Sequence, residues 1–515
     1  MTTPNEKLAE SLKVLKELQD QGLVALKSSY FTRTHRERLM KHNFLQEILN
    51  GWYIVTPHDL NQGDSSSWYT SYWKFCAEYL EDRFGDKYCI SAEQSLMLHA
   101  GNDSIPNQMV IRAEKGTNDA TNFPFSTSLF VMRSTLPNKV EIIVKNDLRA
   151  LSISSALIHT TPSIFTTHPV EIKTVLSMFK DASEILALLL ESGHSVKAGR
   201  LVGAFRNVGQ VKIADEILKT MKSLDYDVRE MDPFLEKEEL KISLREQSPY
   251  VTRIRLLWQE MRKNILQNLP KQKFEVLNKE AYLKQIDDIY VTDAYHSLSI
   301  EKYKVTPELI ERVRSGQWDL KENEADKQQR DAMAARGYWL AFNEVKKSIS
   351  AILDGQNPGK IVDEQLSNWY RELFAPSVAV GLLNPADLAG YRRHQVYIAQ
   401  SKHVPLNVDA IRDVMPVFFE LLAQEENAFV RAILGHFIFV YIHPYMDGNG
   451  RIGRFLMNTM LISGNYPWIV IPLEKRQEYM NALEQASVNQ DILPLTNFLL
   501  MLLEASTNGT PIAQL

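Results

Sequence analysis

Twelve residues of this chain hold a dense set of reactive groups: His443 to Arg454, HPYMDGNGRIGR. They bring together an imidazole, a carboxylate, an amide, three glycines and two guanidinium groups. The glycines at Gly448 and Gly450 allow a tight loop. A helix expected from about Arg451 would then point its first backbone amides at one spot, and such a helix start attracts anions. Gly448 and Gly450 also lack side chains that would keep a phosphate away from those amides. Arg451 and Arg454 lie on one helical turn, so both can reach an oligophosphate. Asp447 is a hard oxygen ligand beside that seat, which is what magnesium uses together with substrate phosphates. His443 stands just outside the loop, and imidazole is the usual general base near neutral pH. A base, a metal carboxylate and an anion hole point to phosphoryl or nucleotidyl transfer to a hydroxyl. The bland alternative is a buried loop whose polar groups only satisfy one another. A lone histidine or glycine would fit it; this set within twelve residues does not.

Such a loop needs rigid elements on both sides. The preceding run, RAILGHFIFVYI, is almost wholly apolar, and 428–442 reads as a helix at the centre of a bundle. Pro444 fits a helix that stops just before it. The run after the loop, FLMNTMLIS, is again apolar. From about Tyr250 onward nearly every segment has helical periodicity, including the long stretch QQRDAMAARGYWLAFNEVKKSISAIL.

The rest of the chain sets the context. With 515 residues it exceeds one ordinary domain. Its 44% apolar and 23% charged content is that of a soluble globular protein, and a net charge of −5 argues against coating nucleic acid wholesale. The two cysteines, Cys76 and Cys89, form no metal or redox pattern, as expected of a reducing cytoplasm. The first residues carry acids and no apolar core, unlike a secretory signal, and no apolar run approaches the ~20 residues of a membrane span. A cytoplasmic protein with no membrane partner is expected.

Residues 5–20 read as an amphipathic helix. A short helix, a turn, and a second helix over about Thr32–His42 follow. The strands LQEIL and WYIV come next, turned by Asn50-Gly51. Three helices and a hairpin are the order of a winged helix-turn-helix. Arg33, Arg36, Arg38 and Lys41 make its last helix positive, which suits duplex DNA; a solvated face or a protein-binding module fits the same charges. Residues 59–235 alternate short strands and helices before turning helical. His99, His159 and His168 there read as structural, and Gly203 as a site of close helix packing. Residues 236–284 read as a linker and helical extension.

HPYMDGNGRIGR closely resembles the signature of the Fic family, His-Pro-Phe-x-Asp/Glu-Gly-Asn-Gly-Arg-x-x-Arg, with Tyr445 in place of the Phe. The resemblance extends over about residues 285–505. It implies an all-α core with a β-hairpin flap and transfer of AMP from ATP to a Ser, Thr or Tyr hydroxyl. By the resemblance His443 deprotonates the hydroxyl and Asp447 holds Mg2+. Gly448, Asn449 and Gly450 cradle the α- and β-phosphates, and Arg451 and Arg454 bind phosphates, Arg454 nearest the γ-phosphate. Tyr479 contacts the adenine. The flap backbone at Val396, Tyr397, Ile398 and Ala399 aligns a target strand through main-chain bonds.

Ser297 and Glu301 are one helical turn apart in SLSIEK. They resemble the family's inhibitory Ser/Thr-x-x-x-Glu-Gly/Asn helix, with Lys302 replacing the last residue. The resemblance implies that Glu301 pairs with Arg454 and blocks the γ-phosphate, with the inhibitor in the same chain (292–303). The first ~240 residues resemble the winged-helix portion of some bacterial Fic proteins, itself similar to AbiEi-type antitoxin regulators. The expected architecture is therefore multi-domain. A winged helix-turn-helix (1–58) and a mixed α/β then helical region (59–235) precede the extension and the all-α core. The expected activity is protein adenylyl transfer, onto other proteins or itself. The alternatives are a DNA-binding regulator whose core senses ATP, and removal of AMP from a modified target. A homodimer is common in the family.

Overall fold

The structure, a computed structural model, describes residues 3–57, 65–192, 194–234, 248–269, 278–316, 330–388 and 390–515. The chain divides into two compact units. One comprises Met1–Arg253 with Tyr397–Val404; the other comprises Ile254–Val396 and Pro405–Leu515.

The first unit begins with a helix, Pro4–Asp20, started by a capping box between Thr3 and Glu6. A second helix, Arg33–Lys41, is capped by the Thr32 hydroxyl. Strands Leu45–Leu49 and Trp52–Val55 pair antiparallel, Leu45 opposite Val55, around the expected turn at Asn50-Gly51. Gly51 takes the positive φ, 81°, that this turn needs. Leu15, Leu26, Leu39, Leu45 and Tyr53 close the small core between them.

The expected middle helix is absent. Leu26 and Lys27 instead pair with Tyr53 and Trp52, and Ser28 N–H donates to the Gly51 carbonyl. Strand pairing takes the backbone groups that a helix would need, which leaves only a 3-10 turn at Ser28–Tyr30.

A helix at Ser66–Phe84 follows, with Trp68, Tyr72, Phe75 and Tyr79 on one stripe. Trp68 meets Tyr72, Phe75 and Phe123 edge-on and donates its indole N–H to Thr127 Oγ1 at 2.9 Å. This aromatic core lies against a four-stranded sheet ordered Tyr88–Ile90, Gln108–Ala113, Thr127–Arg133, Asp119–Phe123. Its central pair runs parallel and the outer pairs antiparallel. A hairpin, Ile142–Lys145 with Leu148–Leu151, leads into helices up to Ser223. Of the histidines in this unit, His99 is buried on the Leu151 carbonyl and His168 meets the Thr167 hydroxyl.

Gly203 does permit close approach, but not of a helix. A Cβ there would lie 2.3 Å from the carbonyl oxygen of Met231, in the extended stretch after Ser223. Beyond it, the expected 236–284 extension is only partly described: 235–247 and 270–277 lie outside the described residues, and Pro249–Leu266 is a helix.

The second unit contains no strand among its described residues. Its main helices are Lys279–Ile300, Pro307–Arg314, Arg330–Leu353, Pro358–Ala379, Val408–Gln424, Ala428–Ile442, Asn449–Ile462, Arg476–Val488 and Leu493–Thr507. Ala428–Ile442 and Asn449–Ile462 are buried almost throughout, as their unbroken apolar runs require. The expected β-hairpin flap is not a hairpin. Residues 390–407 reverse direction at Ile398–Ser401, where Gln400 has φ 63°, without paired strands. Their backbone bonds go elsewhere, Arg392 N–H to the Pro444 carbonyl and Ile105 N–H to the Lys402 carbonyl. No helix among the described residues is long and apolar enough to cross a membrane.

Candidate active site

The Ala428–Ile442 helix ends on His443, which adopts the left-handed conformation, φ 55° and ψ 60°. That geometry stops the helix and swings the imidazole out of its axis. His443 Nδ1 lies 3.1 Å from the Val440 carbonyl oxygen. A carbonyl only accepts, so Nδ1 carries the proton and Nε2 keeps its lone pair. Burial, reinforced by the Arg392 cation, lowers the His443 pKa to about 4. A neutral imidazole with a free Nε2 can act as a base.

The loop after it is pinned by Asn449. Its amide oxygen accepts from Tyr445 N–H at 3.0 Å and its amide nitrogen donates to the Tyr445 carbonyl at 2.8 Å. The Asn449 side chain thus shapes the loop, leaving only its backbone for an anion. Tyr445 stacks flat on Tyr370 with centroids 3.8 Å apart, which anchors the loop's other end. Gly448 sits at φ 80°, and a Cβ there would meet the Phe374 ring at 2.8 Å. Asp447 is mostly exposed; one oxygen accepts from Gly448 N–H at 2.6 Å and the other lies 3.4 Å from Arg451.

The start of the Asn449–Ile462 helix is occupied by a carboxylate. A Cβ on Gly450 would come within 2.2 Å of Glu301 Oε1. The same oxygen accepts from Arg454 Nη2 at 2.8 Å, while Arg454 Nε donates to the Ser297 hydroxyl at 2.8 Å and Nη2 also to the Ser297 carbonyl at 2.9 Å. Burial works to raise the Glu301 pKa, but Arg454 and then Arg451 overcome it, so the carboxyl is held below its usual range. Burial likewise opposes the charge on Arg454, but Glu301, Tyr479 and Tyr338 together raise that pKa.

The 292–303 segment, expected to be an inhibitory helix, forms the end of Lys279–Ile300 and the turn after it. Glu301 is the C-cap of that helix. Lys302 N–H bonds to the Ser299 carbonyl and Tyr303 N–H to the Leu298 carbonyl, a Schellman ending. Lys302 takes φ 66°, which explains why glycine or asparagine suits this position better.

Both signature arginines are nearly inaccessible. Arg451, 1% exposed, lies 5.0 Å from the ring centres of both Tyr303 and Phe374. Arg451 Nε and Arg454 Nη1 are buried without a hydrogen-bond partner among the described residues. Tyr479 is 1% exposed; its hydroxyl meets His436 Nε2 at 2.6 Å and its ring lies between His436 and Phe498. Burial pushes its phenol up to about 12 and the His436 imidazole down to about 4.

The structure therefore gathers His443, Asp447, Gly448, Asn449, Gly450, Arg451, Arg454, Ser297 and Glu301 in one place. Tyr479 lies beside it, near enough to Arg454 for the guanidinium to pull against the effect of burial on the phenol. Of the flap residues, Val396 belongs to the second unit, and Tyr397, Ile398 and Ala399 to the first. Two residues were not foreseen. Tyr303 could have been found from its place two residues beyond Glu301. Arg392 bonds only main-chain carbonyls, those of His394, Leu406 and His443, so no pattern of side chains marks it.

The N-terminal cationic helix is built differently. Arg33 is exposed and paired with Glu37 at 2.7 Å, and Arg36 lies 6.0 Å from the Tyr53 ring centre. Arg38 turns inward, donating to the Lys7 carbonyl at 2.6 Å and the Ser11 hydroxyl at 2.8 Å. Lys41 is exposed.

Residues 361–461 match the Fic/DOC family. The protein adenylyltransferase Fic of Drosophila virilis is 36% identical over 124 residues, covering 23% of this chain and 25% of that protein. Its counterpart in Drosophila willistoni is 36% identical over 124 residues, covering 23% and 24%. The chain thus spans about a quarter of the length of the curated relatives it matches. Among solved structures, Fic-1 (aa134 - 508) from C. elegans aligns at 17% identity and a TM-score of 0.36, covering 64% of this chain and 91% of that one. The signature loop, the Ala428–Ile442 helix and all but the last residue of Asn449–Ile462 fall inside the stretch, 361–461, that matches the Fic domain.

Proposed function

We propose that this chain is a protein adenylyltransferase that moves AMP from ATP to a Ser, Thr or Tyr hydroxyl, held off in cis by Glu301. One observation carries the reading: the Glu301 carboxylate, 2.8 Å from Arg454, lies over Gly450 at a helix start that is built for an anion. A carboxylate held there by a guanidinium takes the place of a phosphate oxygen. The curated relatives, named protein adenylyltransferase, support the same chemistry.

In this reading the target hydroxyl oxygen attacks the α-phosphorus of ATP and its proton passes to His443 Nε2. The bond from the α-phosphorus to the bridging oxygen breaks, and pyrophosphate leaves. The amides at the start of Asn449–Ile462, with Arg451 and Arg454, hold the phosphates in line. Asp447 offers one exposed carboxylate beside that seat, the donor set that magnesium uses with nucleotide phosphates. Bound there, the ion would neutralise phosphate charge.

Intact-mass measurement of the Glu301→Gly chain after incubation with ATP and magnesium tests the reading. A gain of one AMP, absent from the Glu301→Gly/His443→Ala chain, is expected. No AMP on the chain itself or on lysate proteins would overturn it.

A second reading concerns the N-terminal elements. Arg33 and Lys41 are exposed on one short helix next to a hairpin, an arrangement that suits duplex DNA. It is compatible with the first.

A further inference from the structure

Arg392 is 3% exposed, yet no carboxylate among the described residues pairs with it. Burial alone pulls its pKa down to about 10. A cation in such a place must be solvated by the protein, and here main-chain carbonyls do it. Nε donates to the His443 carbonyl at 2.8 Å, Nη1 to the His394 carbonyl at 3.0 Å, and Nη2 to the Leu406 carbonyl. The Arg392 backbone N–H adds a bond to the Pro444 carbonyl at 2.8 Å.

The consequence lies in the conformation of His443. A histidine in the left-handed region persists only where its surroundings hold it. On the entry side, His443 N–H bonds to the Phe439 carbonyl at 3.0 Å, and the ring bonds to Val440. On the exit side, both carbonyls, of His443 and Pro444, are held by Arg392 alone among the described residues. The same guanidinium ties His394 to Leu406, the two arms of the 390–407 segment, which has no strand ladder to close it.

We propose that Arg392 is a positioning residue for His443, fixing the imidazole and the base of the flap segment as one rigid piece. The proposal rests on the adenylyl-transfer reading for its kinetic consequence. Its structural consequence stands apart from that reading. A lysine has one nitrogen where three divergent carbonyls need a planar fork, so Arg392→Lys is not a conservative change here.

The experiment uses the full chain carrying Glu301→Gly, alone and with Arg392→Lys, Arg392→Gln or Arg392→Ala. Turnover is measured together with ATP affinity by calorimetry, and His443 is followed by NMR of labelled imidazoles, assigned by His443→Asn. Displacing a base by about 1 Å costs about 10²-fold in rate. A fall of that order in kcat is expected, with ATP affinity close to that of the parent, because Arg392 bonds only main-chain carbonyls. Added guanidinium ion restores part of the Arg392→Ala rate. The Nδ1–H signature of His443 is expected to broaden or shift in Arg392→Gln.

Unchanged kcat would overturn the proposal, as would a loss of ATP binding parallel to the loss of rate, or an unshifted His443 resonance. If the Glu301→Gly parent itself transfers no AMP, the functional reading fails. The His443 resonance in Arg392→Gln then decides the positioning role alone.

Discussion

The arginines of the Asn449–Ile462 helix and those of the Arg33–Lys41 helix carry the same charge into opposite surroundings. Arg451 and Arg454 are almost wholly buried, and each keeps one N–H without a partner among the described residues. Arg33 is exposed and matched to Glu37, while Arg38 turns its Nη1 to the Lys7 carbonyl and Ser11 hydroxyl of the neighbouring helix. Leaving a buried donor unpaired costs about 1–3 kcal/mol. Arg149, Arg200 and Arg431 also keep a buried Nε without a hydrogen-bond partner among the described residues, so an unfinished bond alone marks no site; what sets Arg454 apart is that it lies at a helix start beside Gly450 and holds a carboxylate there. In the adenylyl-transfer reading Arg454 is proposed to meet a phosphate, whereas Arg38 gives one nitrogen to bonds inside the protein.

The sharpest way to break that contrast is Arg454→Ala in the Glu301→Gly chain. Removing one preorganised donor from a transition-state anion site costs about 10²–10³-fold. Turnover should fall by that much, measured well below the thermal midpoint, which itself drops because the two buried bonds to Ser297 go with the side chain. Equal activity in the two chains would show that the buried N–H groups of Arg454 have no ligand. Glu301→Gly by itself comes next. A charge-assisted bond is worth about 1.5–3 kcal/mol, so freeing Arg454 should raise AMP transfer about 10- to 100-fold over wild type. The comparison is initial rate at saturating ATP, and a rate unchanged or lowered would remove the switch.

Acidity probes the same buried site with a smaller effect. The folded His443 pKa, about 4, lies below the usual 6.5, first through burial. The imidazole is therefore neutral and competent above about pH 4. Transfer should be level from pH 8 to pH 5 and fall about tenfold per unit below pH 4. The sign for stability is consistent: the unfolded chain takes up this proton first, so the contribution of His443 is complete above about pH 6.5 and lost as pH falls towards 4. A rate that titrates at pH 6.5 would mean that His443 is solvated.

The contrast also explains what could be read from the sequence. The signature loop was legible because its groups are contiguous and a helix start gathers them by geometry. Ser297 and Glu301 were legible as a pair, since four residues make one turn, but their landing on Arg454, 153 residues from Glu301, came only from resemblance. The 45–55 hairpin followed from Asn-Gly between alternating strands. The helix expected before Arg33 failed because Leu26 and Lys27 find strand partners in Tyr53 and Trp52, and tertiary pairing outweighs local propensity. The flap failed as a hairpin for a related reason: Arg392 joins its arms through carbonyls, and carbonyls carry no sequence signal. Arg33, Arg36, Arg38 and Lys41 looked alike as a string of cations. Their different partners, Glu37, Tyr53, and Lys7 with Ser11, lie on faces that a charge count does not separate.

A modest effect on stability separates Arg38 from its neighbours. Its two donated bonds hold the Arg33–Lys41 helix to Pro4–Asp20. Arg38→Ala should cost about 1–2 kcal/mol of this unit's stability, the worth of a partly solvated charge-assisted bond. Denaturant unfolding of the N-terminal elements, followed by tryptophan fluorescence, measures it, and no shift in midpoint would show that those bonds are not formed in solution.

The smallest expected change in the fold, and the most telling for the second reading, is charge reversal at Arg33 and Lys41. Both side chains are exposed, so Arg33→Glu with Lys41→Glu should leave the unfolding midpoint in place. If this helix meets duplex DNA, each of the two neutralises one phosphate. The slope of log K against log salt should then flatten by about 0.9 for every phosphate no longer neutralised. Arg38→Ala should leave that slope unchanged, because its guanidinium already serves Lys7 and Ser11. If Arg38→Ala flattens the slope as much as the exposed pair does, internal partners do not withdraw an arginine from a ligand. The distinction between the two helices then fails. If the wild-type chain shows no salt-dependent affinity for duplex DNA, the second reading falls and the cations of this helix serve only the fold.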